Sequence, residues 1–269
     1  MNQNQTSNQK ICILHGYLLE GSGSNLWTRC IVESFCKQGV DVHLICQENH
    51  PESYDFVEKQ ILYHNDGSSH QVFNQTTSYS GKCILHKPIL GDLLPVYVKD
   101  HYEEFSNVIP MPDLSNDQIK QYLETNINAV EIITKENNIK SIFANHTVLM
   151  PTVAEKIKEK NNLQYAVIPH GSAIEYAVKK DVRFFNYAKN ALINADKIMV
   201  MSQEMQERLK IIFGEKTVSN KLTTLKLGVN SSQFNLVDQK NRSSLINKLN
   251  NTLNKTKKKI ELNQISWDS

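Results

Sequence analysis

A chain of 269 residues with 40% hydrophobic and 22% charged content is made like an ordinary globular protein, with room for one large α/β domain or two small ones. Its net charge is +2, no apolar run reaches bilayer-crossing length, and the opening MNQNQTSNQK lacks the apolar core of a secretory signal. A transmembrane segment is therefore not expected, and a cytoplasmic location is.

Residues 11–14 are a short β-rich run, as expected of a strand covered on both faces. A loop of Gly21, Ser22, Gly23, Ser24 and Asn25 follows. Trp27, Cys30, Ile31, Ser34 and Phe35 then recur at helical spacing, with Gly39 as the stop. Residues 40–46 are the next strand. The unit is β-α-β, and its glycine loop leaves bare backbone N–H groups where an anion would sit.

From 47 to 112 the pattern is less regular. Residues 70–73 and 82–85 read as two strands of a small hairpin insert, joined through Ser80 and Gly81. Ser115 and Gln118 have capping-box spacing at the start of a long helix, whose stripe is Ile119, Leu123, Ile127, Val130 and Ile133. A strand at 139–144, a helix at 148–160 and a strand at 165–168 come next. Asp181 caps a helix carrying Phe184, Phe185, Ala188 and Leu192, and residues 197–201 are a strand. Ser202 caps a helix with Met205, Leu209 and Ile212, ended by Gly214, and residues 222–225 close the series.

Strands alternating with helices predict an α/β fold: a Rossmann-like, mostly parallel sheet with helices on both faces. In such a sheet ligands sit beyond the carboxyl ends of the strands. The loops at 15–25, 145–148 and 169–175 meet that condition.

The five cysteines, Cys12, Cys30, Cys36, Cys46 and Cys83, show neither CxxC nor zinc spacing and read as reduced core residues, with no metal site. Charge is uneven along the chain: residues 239–269 carry a net +5 and residues 1–238 a net −3. The Asn/Lys-rich NKLNNTLNKTKKK reads as a frayed or partly helical end, and the mildly acidic remainder argues against nucleic acid.

The glycine-serine loop lacks the Gly-Lys-Ser/Thr of a kinase P-loop, and Leu26 stands where GxGxxG needs its third glycine. Either it receives phosphate, or Gly21 and Gly23 only shape a tight turn. His170, between a β-rich run and Gly171, is the catalytic candidate, able to hydrogen-bond a sugar or alcohol hydroxyl or to take its proton. The competing role is a structural cap on residues 174–176. His146, Gly171, Ser172 and Glu175, with Tyr102 and Glu103 from the polar cluster that also holds Asp100, are the expected acceptor or sugar contacts; the alternatives are a structural role for His146 and a merely solvated loop for the polar cluster. His15 reads as a strand-end residue tied to the loop. An α/β-hydrolase is disfavoured because the chain has no GxSxG.

With LHGYLLEGSGSN and IPHGSAIEYAVKKDVRFFNYAKNALINADKIMVMSQEMQERL in order along it, the chain resembles glycosyltransferase family 4. It is most similar to the acceptor-side N-terminal domain of those GT-B enzymes. The likeness runs from residue 11 to 234 and closes on LGVNSSQF, which is similar to the phrase linking the two lobes. It divides the chain into a polar tail (1–9), the Rossmann-like lobe (10–234) and a basic tail (235–269). It implies a nucleotide-sugar donor as substrate, retention at the anomeric carbon, and neither obligatory metal nor cofactor. By position, Gly21, Ser22, Gly23, Ser24 and Asn25 would approach the donor diphosphate, and His170 would meet the transferred sugar or acceptor.

Residues 235–269 are too few for the second lobe, and the family's donor-binding Arg/Lys pair and paired glutamates have no counterpart here. The expectation is the acceptor-binding half of a retaining transferase. Its partners would be a sugar or glycolipid acceptor, a separate C-terminal donor-binding subunit and, peripherally, a membrane. The alternative is a non-catalytic sugar- or partner-binding domain that keeps the fold.

Overall fold

The computed structural model describes residues 9–99, 102–161, 163–229 and 237–260 of the chain, with side chains through 255. Asp100, residues 1–8 of the polar tail, residues 230–234 of the linking phrase and residues 261–269 lie outside the described residues. The chain divides into two units, Met1–Leu225 and Lys226–Ser269.

The first unit opens with β1 (Lys10–Leu14), α1 (Gly23–Lys37) and β2 (Asp41–Ile45). β1 and β2 pair in parallel, Lys10 opposite Asp41 and Leu14 opposite Ile45. Ile11 and Ile13 pack with Val32 and Cys36 of α1, while Cys12 and Leu14 pack in a second cluster on the other face. Coverage on both faces is why this strand reads as an unbroken apolar run. Each such buried Ile or Leu contributes roughly 1.5–3 kcal/mol.

The buried side of α1 differs from the stripe read in the sequence. It is Asn25, Thr28, Val32 and Cys36 that are buried, while Cys30 is exposed and Ile31 and Phe35 are only partly covered. The first turn buries hydrogen-bonded polar residues, so apolar periodicity points one residue away from the true inner face. The other four cysteines are buried.

The insert also corrects the expected pairing. β3 (Val57–Tyr63) and β4 (Ser69–Asn74) form the hairpin, antiparallel, and β5 (Cys83–Pro88) joins the main sheet in parallel between β2 and β3. Residues 70–73 and 82–85 are therefore not partners. The hairpin turn is closed by Asp66, whose carboxylate accepts from the backbone of Ser68 (2.9 Å), and by Gly67 at φ +84°. Beyond it, β6 (Leu93–Val96) and β7 (Asn107–Pro110) make a two-stranded parallel sheet of their own.

α2 (Asn116–Glu136) starts at a full capping box, with Ser115 Oγ accepting from Gln118 N (3.2 Å) and Gln118 Oε1 accepting from Ser115 N (2.9 Å). Ile119, Leu123, Val130 and Ile133 are buried and Ile127 is half-buried, as the stripe predicts. Ser115→Ala should lower stability by about 1 kcal/mol in a chemical denaturation curve. A midpoint that stays put would remove the cap as a contributor.

The remaining elements follow in order: β8 (Ser141–Asn145), α3 (Met150–Asn161), β9 (Gln164–Ile168), a short α4 (Gly171–Ala173) running into a π turn (Ile174–Val178), and α5 (Val182–Asn194). Then come β10 (Lys197–Val200), α6 (Gln203–Phe213), α7 (Glu215–Val218) and β11 (Leu222–Thr224). Asp181 caps α5 by accepting from Arg183 N (2.8 Å), Ser202 caps α6 by accepting from Met205 N (3.1 Å), and Gly214 at φ +89° ends α6.

Among the described residues the main sheet has nine strands in the order β11-β10-β9-β8-β1-β2-β5-β3-β4, parallel throughout except for the β3–β4 hairpin. The chain builds outward from β1 to one side, then returns at β8 on the other. The crevice between β1 and β8 is thus the topological switch point, where an open α/β sheet receives its ligand. The second unit contains α8 (Gln239–Ile260).

Candidate functional site

At the carboxyl end of β1 the chain turns sharply, with the N–H groups of His15 and Gly16 both donating to the carbonyl of Ile45 (3.0 and 3.1 Å). Gly16 sits at φ +69°, and a Cβ there would lie 2.7 Å from the Tyr122 hydroxyl oxygen. Only glycine fits this bend without strain.

His15, buried behind the bend, joins three loops. Its Nε2 lies 3.0 Å from the carbonyl of Leu18 and 3.1 Å from Asn25 Oδ1. Both partners are acceptors, so Nε2 carries the proton and donates. Nδ1 then accepts from Asn145 Nδ2 (3.1 Å) at the end of β8. Asn145 also donates to Thr28 Oγ1 (2.8 Å), whose hydroxyl donates to Ser24 O (2.8 Å). The network ties the tip of β1, the first turn of α1 and the tip of β8 into one piece. This is the strand-end role expected of His15.

The start of α1 separates the two roles of its glycines. Gly21 holds φ +87° and shapes the turn, whereas Gly23 has an ordinary conformation and is the first residue of the helix. Ser22 is the cap, accepting from Asn25 N (3.3 Å). Asn25 is buried, with its side chain committed to His15 and the Glu20 carbonyl. Backbone N–H groups, not Asn25, are what this loop offers an anion.

A cleft of about 300 Å³ opens beside these tips, lined by Tyr17, Ser22, Gly23, Ser24, Tyr97, Val98, Tyr102, His146, His170, Gly171 and Ser172. The loops at 15–25, 145–148 and 169–175 therefore meet, as the strand order requires. Of the residues named from the sequence, Ser22, Gly23, Ser24, Tyr102, His146, His170, Gly171 and Ser172 line the cleft. Gly21, Asn25, Glu103 and Glu175 do not; Glu175 instead pairs with Lys179 (2.8 Å) and Arg208 (3.1 Å). A larger open depression of about 450 Å³, at Val178, Lys179, Lys180, Asp181, Val182, Phe185 and Ile212, shares no lining residue with this cleft.

His146 stands at φ +70°, a strained conformation for a residue with a Cβ, and its N–H donates to the Ile168 carbonyl (2.9 Å). Its ring is buried with both nitrogens lacking a hydrogen-bond partner among the described residues, and His170 Nε2 is in the same condition. His170 precedes α4 but makes no side-chain cap bond, so the structural-cap role is not what its imidazole performs. Its ring lies 4.8 Å from that of His146 and meets Trp27 edge-on at 5.7 Å.

Tyr17 and Tyr97 went unnoticed in the sequence. Their rings stack at 5.8 Å, Tyr97 N donates to the Tyr17 hydroxyl (3.1 Å), and Tyr97 lies 4.6 Å from the ring of His146. The Val96-Tyr97-Val98 run that follows Pro95 is the only local signal for Tyr97.

None of the eleven lining residues is a Lys, Arg, Asp or Glu. Burial lowers the imidazole of His15 to about 4 and that of His170 to about 4, with repulsion from His15 adding to the latter. His146 is pushed well below its ordinary value by burial and then by its two histidine neighbours, and burial raises the hydroxyls of Tyr17 and Tyr97. At neutral pH the cleft wall is uncharged, rich in hydroxyls and imidazole nitrogens, and backed by the positive end of the α1 dipole. Among the described residues no group of three or more His, Cys, Asp or Glu gathers to hold a metal.

The fold and cleft define a class: an open, mostly parallel Rossmann-like lobe with a neutral ligand cleft at its switch point. No family model matches the chain, and no curated protein does. Among solved structures it is similar to a sucrose-phosphate synthase from Thermosynechococcus elongatus (15% identity over 82% of this chain and 91% of that one, TM-score 0.48). It is also similar to UDP-GlcNAc 2-epimerase from Neisseria meningitidis bound to UDP-GlcNAc (9%, 80% and 45%, TM-score 0.43). A third is UGT73P12 of Glycyrrhiza uralensis complexed with glycyrrhetinic acid 3-O-monoglucuronide (13%, 83% and 49%, TM-score 0.45). The chain spans about half the length of the last two.

Proposed function

We propose that residues 10–234 are the acceptor-side lobe of a retaining sugar transferase of the family 4 kind. It passes a sugar from a nucleotide-sugar to an acceptor hydroxyl, while a second lobe holds the donor. One observation carries the reading: the tips of β1, β8 and β9 bring the start of α1, His146 and His170 to one uncharged cleft at the switch point. Hydroxyls, neutral imidazoles and aromatic rings suit a polyol, and the first N–H groups of α1 suit a phosphate arriving from the facing lobe.

With its imidazole lowered to about 4, His170 takes protons poorly at neutral pH, so its part is to orient a hydroxyl by hydrogen bonding. An anion bound beside it would raise its basicity. The same weak basicity favours the second reading, a sugar-binding lobe without chemistry of its own.

Mixed with a candidate donor lobe and a nucleotide-sugar, the chain should support transfer or donor hydrolysis. His170→Ala should lower that turnover by about 100-fold or more. Unchanged turnover would remove His170 from the reaction. Sugar binding by calorimetry, with no turnover from any donor lobe, would leave the non-catalytic reading standing.

A further inference from the structure

The second unit carries a feature that the cleft does not use. α8 (Gln239–Ile260) has seven Lys or Arg and no Asp or Glu among its 22 residues. Leu245, Ile246, Leu249 and Leu253 are exposed on it, at 47%, 47%, 58% and 49% of their full areas. At 3.6 residues per turn these four fall within about 100° of the helix circumference, a single apolar stripe. Lys248 and Lys255 flank one edge, Arg242 falls in line with the stripe one turn earlier, Ser243, Asn247, Asn250 and Asn254 border the other edge, and Lys240 lies on the opposite face.

From this stripe and its charge we infer that α8 is a membrane-surface helix, lying in the plane of an anionic lipid bilayer with its leucines in the acyl boundary. Charge selects the occupant. A second copy packed stripe to stripe would bring Arg242 and the Lys248 and Lys255 edges together in a helix that has no carboxylate to pair them. A duplex nucleic acid would satisfy the cations but leave the apolar stripe in water. An anionic bilayer satisfies both, and Lys and Arg stems can lie along the boundary with their heads among phosphates. No helix among the described residues is long and apolar enough to cross a membrane, so the contact is in-plane.

The test is co-sedimentation of the whole chain with phosphatidylcholine vesicles, with and without phosphatidylglycerol. Binding should be at least about ten-fold tighter with the anionic lipid and should weaken in high salt. Leu245→Asn with Leu249→Asn should cut binding about ten-fold. A melting curve that matches the parent would show that the fold is kept. If that pair unfolds, Lys248→Glu with Lys255→Glu reads the same helix by its charges and should cut binding to a similar extent.

Three results would overturn the inference. The first is equal or absent binding to both vesicles. The second is vesicle binding that the leucine pair leaves unchanged while DNA competes it away. The third is a concentration-dependent dimer by light scattering that the leucine pair abolishes.

Discussion

Acidification from pH 6.5 to 4 should destabilise the first unit by an amount comparable to its whole folding free energy. Among the described residues four histidines are buried in it, His15, His43, His86 and His146, and His170 is partly buried. Burial lowers His15, His43 and His170 to about 4 and takes His86 and His146 well below their ordinary value. His43 and His86 sit inside the sheet, His43 Nδ1 2.9 Å from His86 Nε2, with the Tyr63 hydroxyl 2.9 Å from the other nitrogen of His86.

The unfolded chain protonates an imidazole near pH 6.5, while the folded state keeps these neutral. Below pH 6.5 the unfolded state therefore binds more protons, and stability falls as pH drops toward 4. Above pH 6.5 neither state holds the proton, and stability is flat. A shift from 6.5 to about 4 corresponds to about 3 kcal/mol per histidine, so three give on the order of 10 kcal/mol, against about 5–15 kcal/mol for a typical domain. Urea unfolding followed through this window should show a steep loss and an acid transition above pH 4. A stability profile that is level between pH 4 and 7 would show that these imidazoles are not held neutral.

Gly81→Ala should cost about 3 kcal/mol or more. Gly81 precedes β5 where the chain crosses the turn between α1 and β2, and its N–H donates to the Cys36 carbonyl (2.8 Å). A Cβ built there would sit 2.2 Å from the Val40 carbonyl oxygen and 2.7 Å from its carbonyl carbon and nitrogen. All three are backbone atoms, so no side chain can rotate away. The strand must shift instead, which strains the Lys82 carbonyl bond to Val42 N (2.7 Å) and the parallel register of Val42 with Cys83. Gly23→Ala is the matched control, because a Cβ there meets nothing within 4 Å and the position is helical. The two variants should differ by several kcal/mol in denaturation midpoint analysis, with Gly23→Ala neutral or slightly stabilising. Similar curves would mean that β5 does not press on Val40.

Inside the insert at 47–112, the strands β3, β6 and β7 were not legible along the chain. Outside it, the order of strands and helices, the caps at Ser115, Asp181 and Ser202, the stop glycines and the three loops of the cleft were. Each depends on neighbours within a few residues, where backbone geometry and side-chain chemistry act directly. What lay outside that range had to come from tertiary structure. The strand partner of 70–73 is β3, set by a turn at Asp66 and Gly67 rather than by the glycine at 81. The inner face of α1 is polar at Asn25 and Thr28 because His15 and Asn145 complete their hydrogen bonds, and Asn145 lies 130 residues from His15. The Tyr17–Tyr97 wall joins residues 80 apart. Periodicity along a sequence reports which surfaces avoid water. It cannot report which distant polar group will satisfy a buried one, and here those distant pairings shape the cleft.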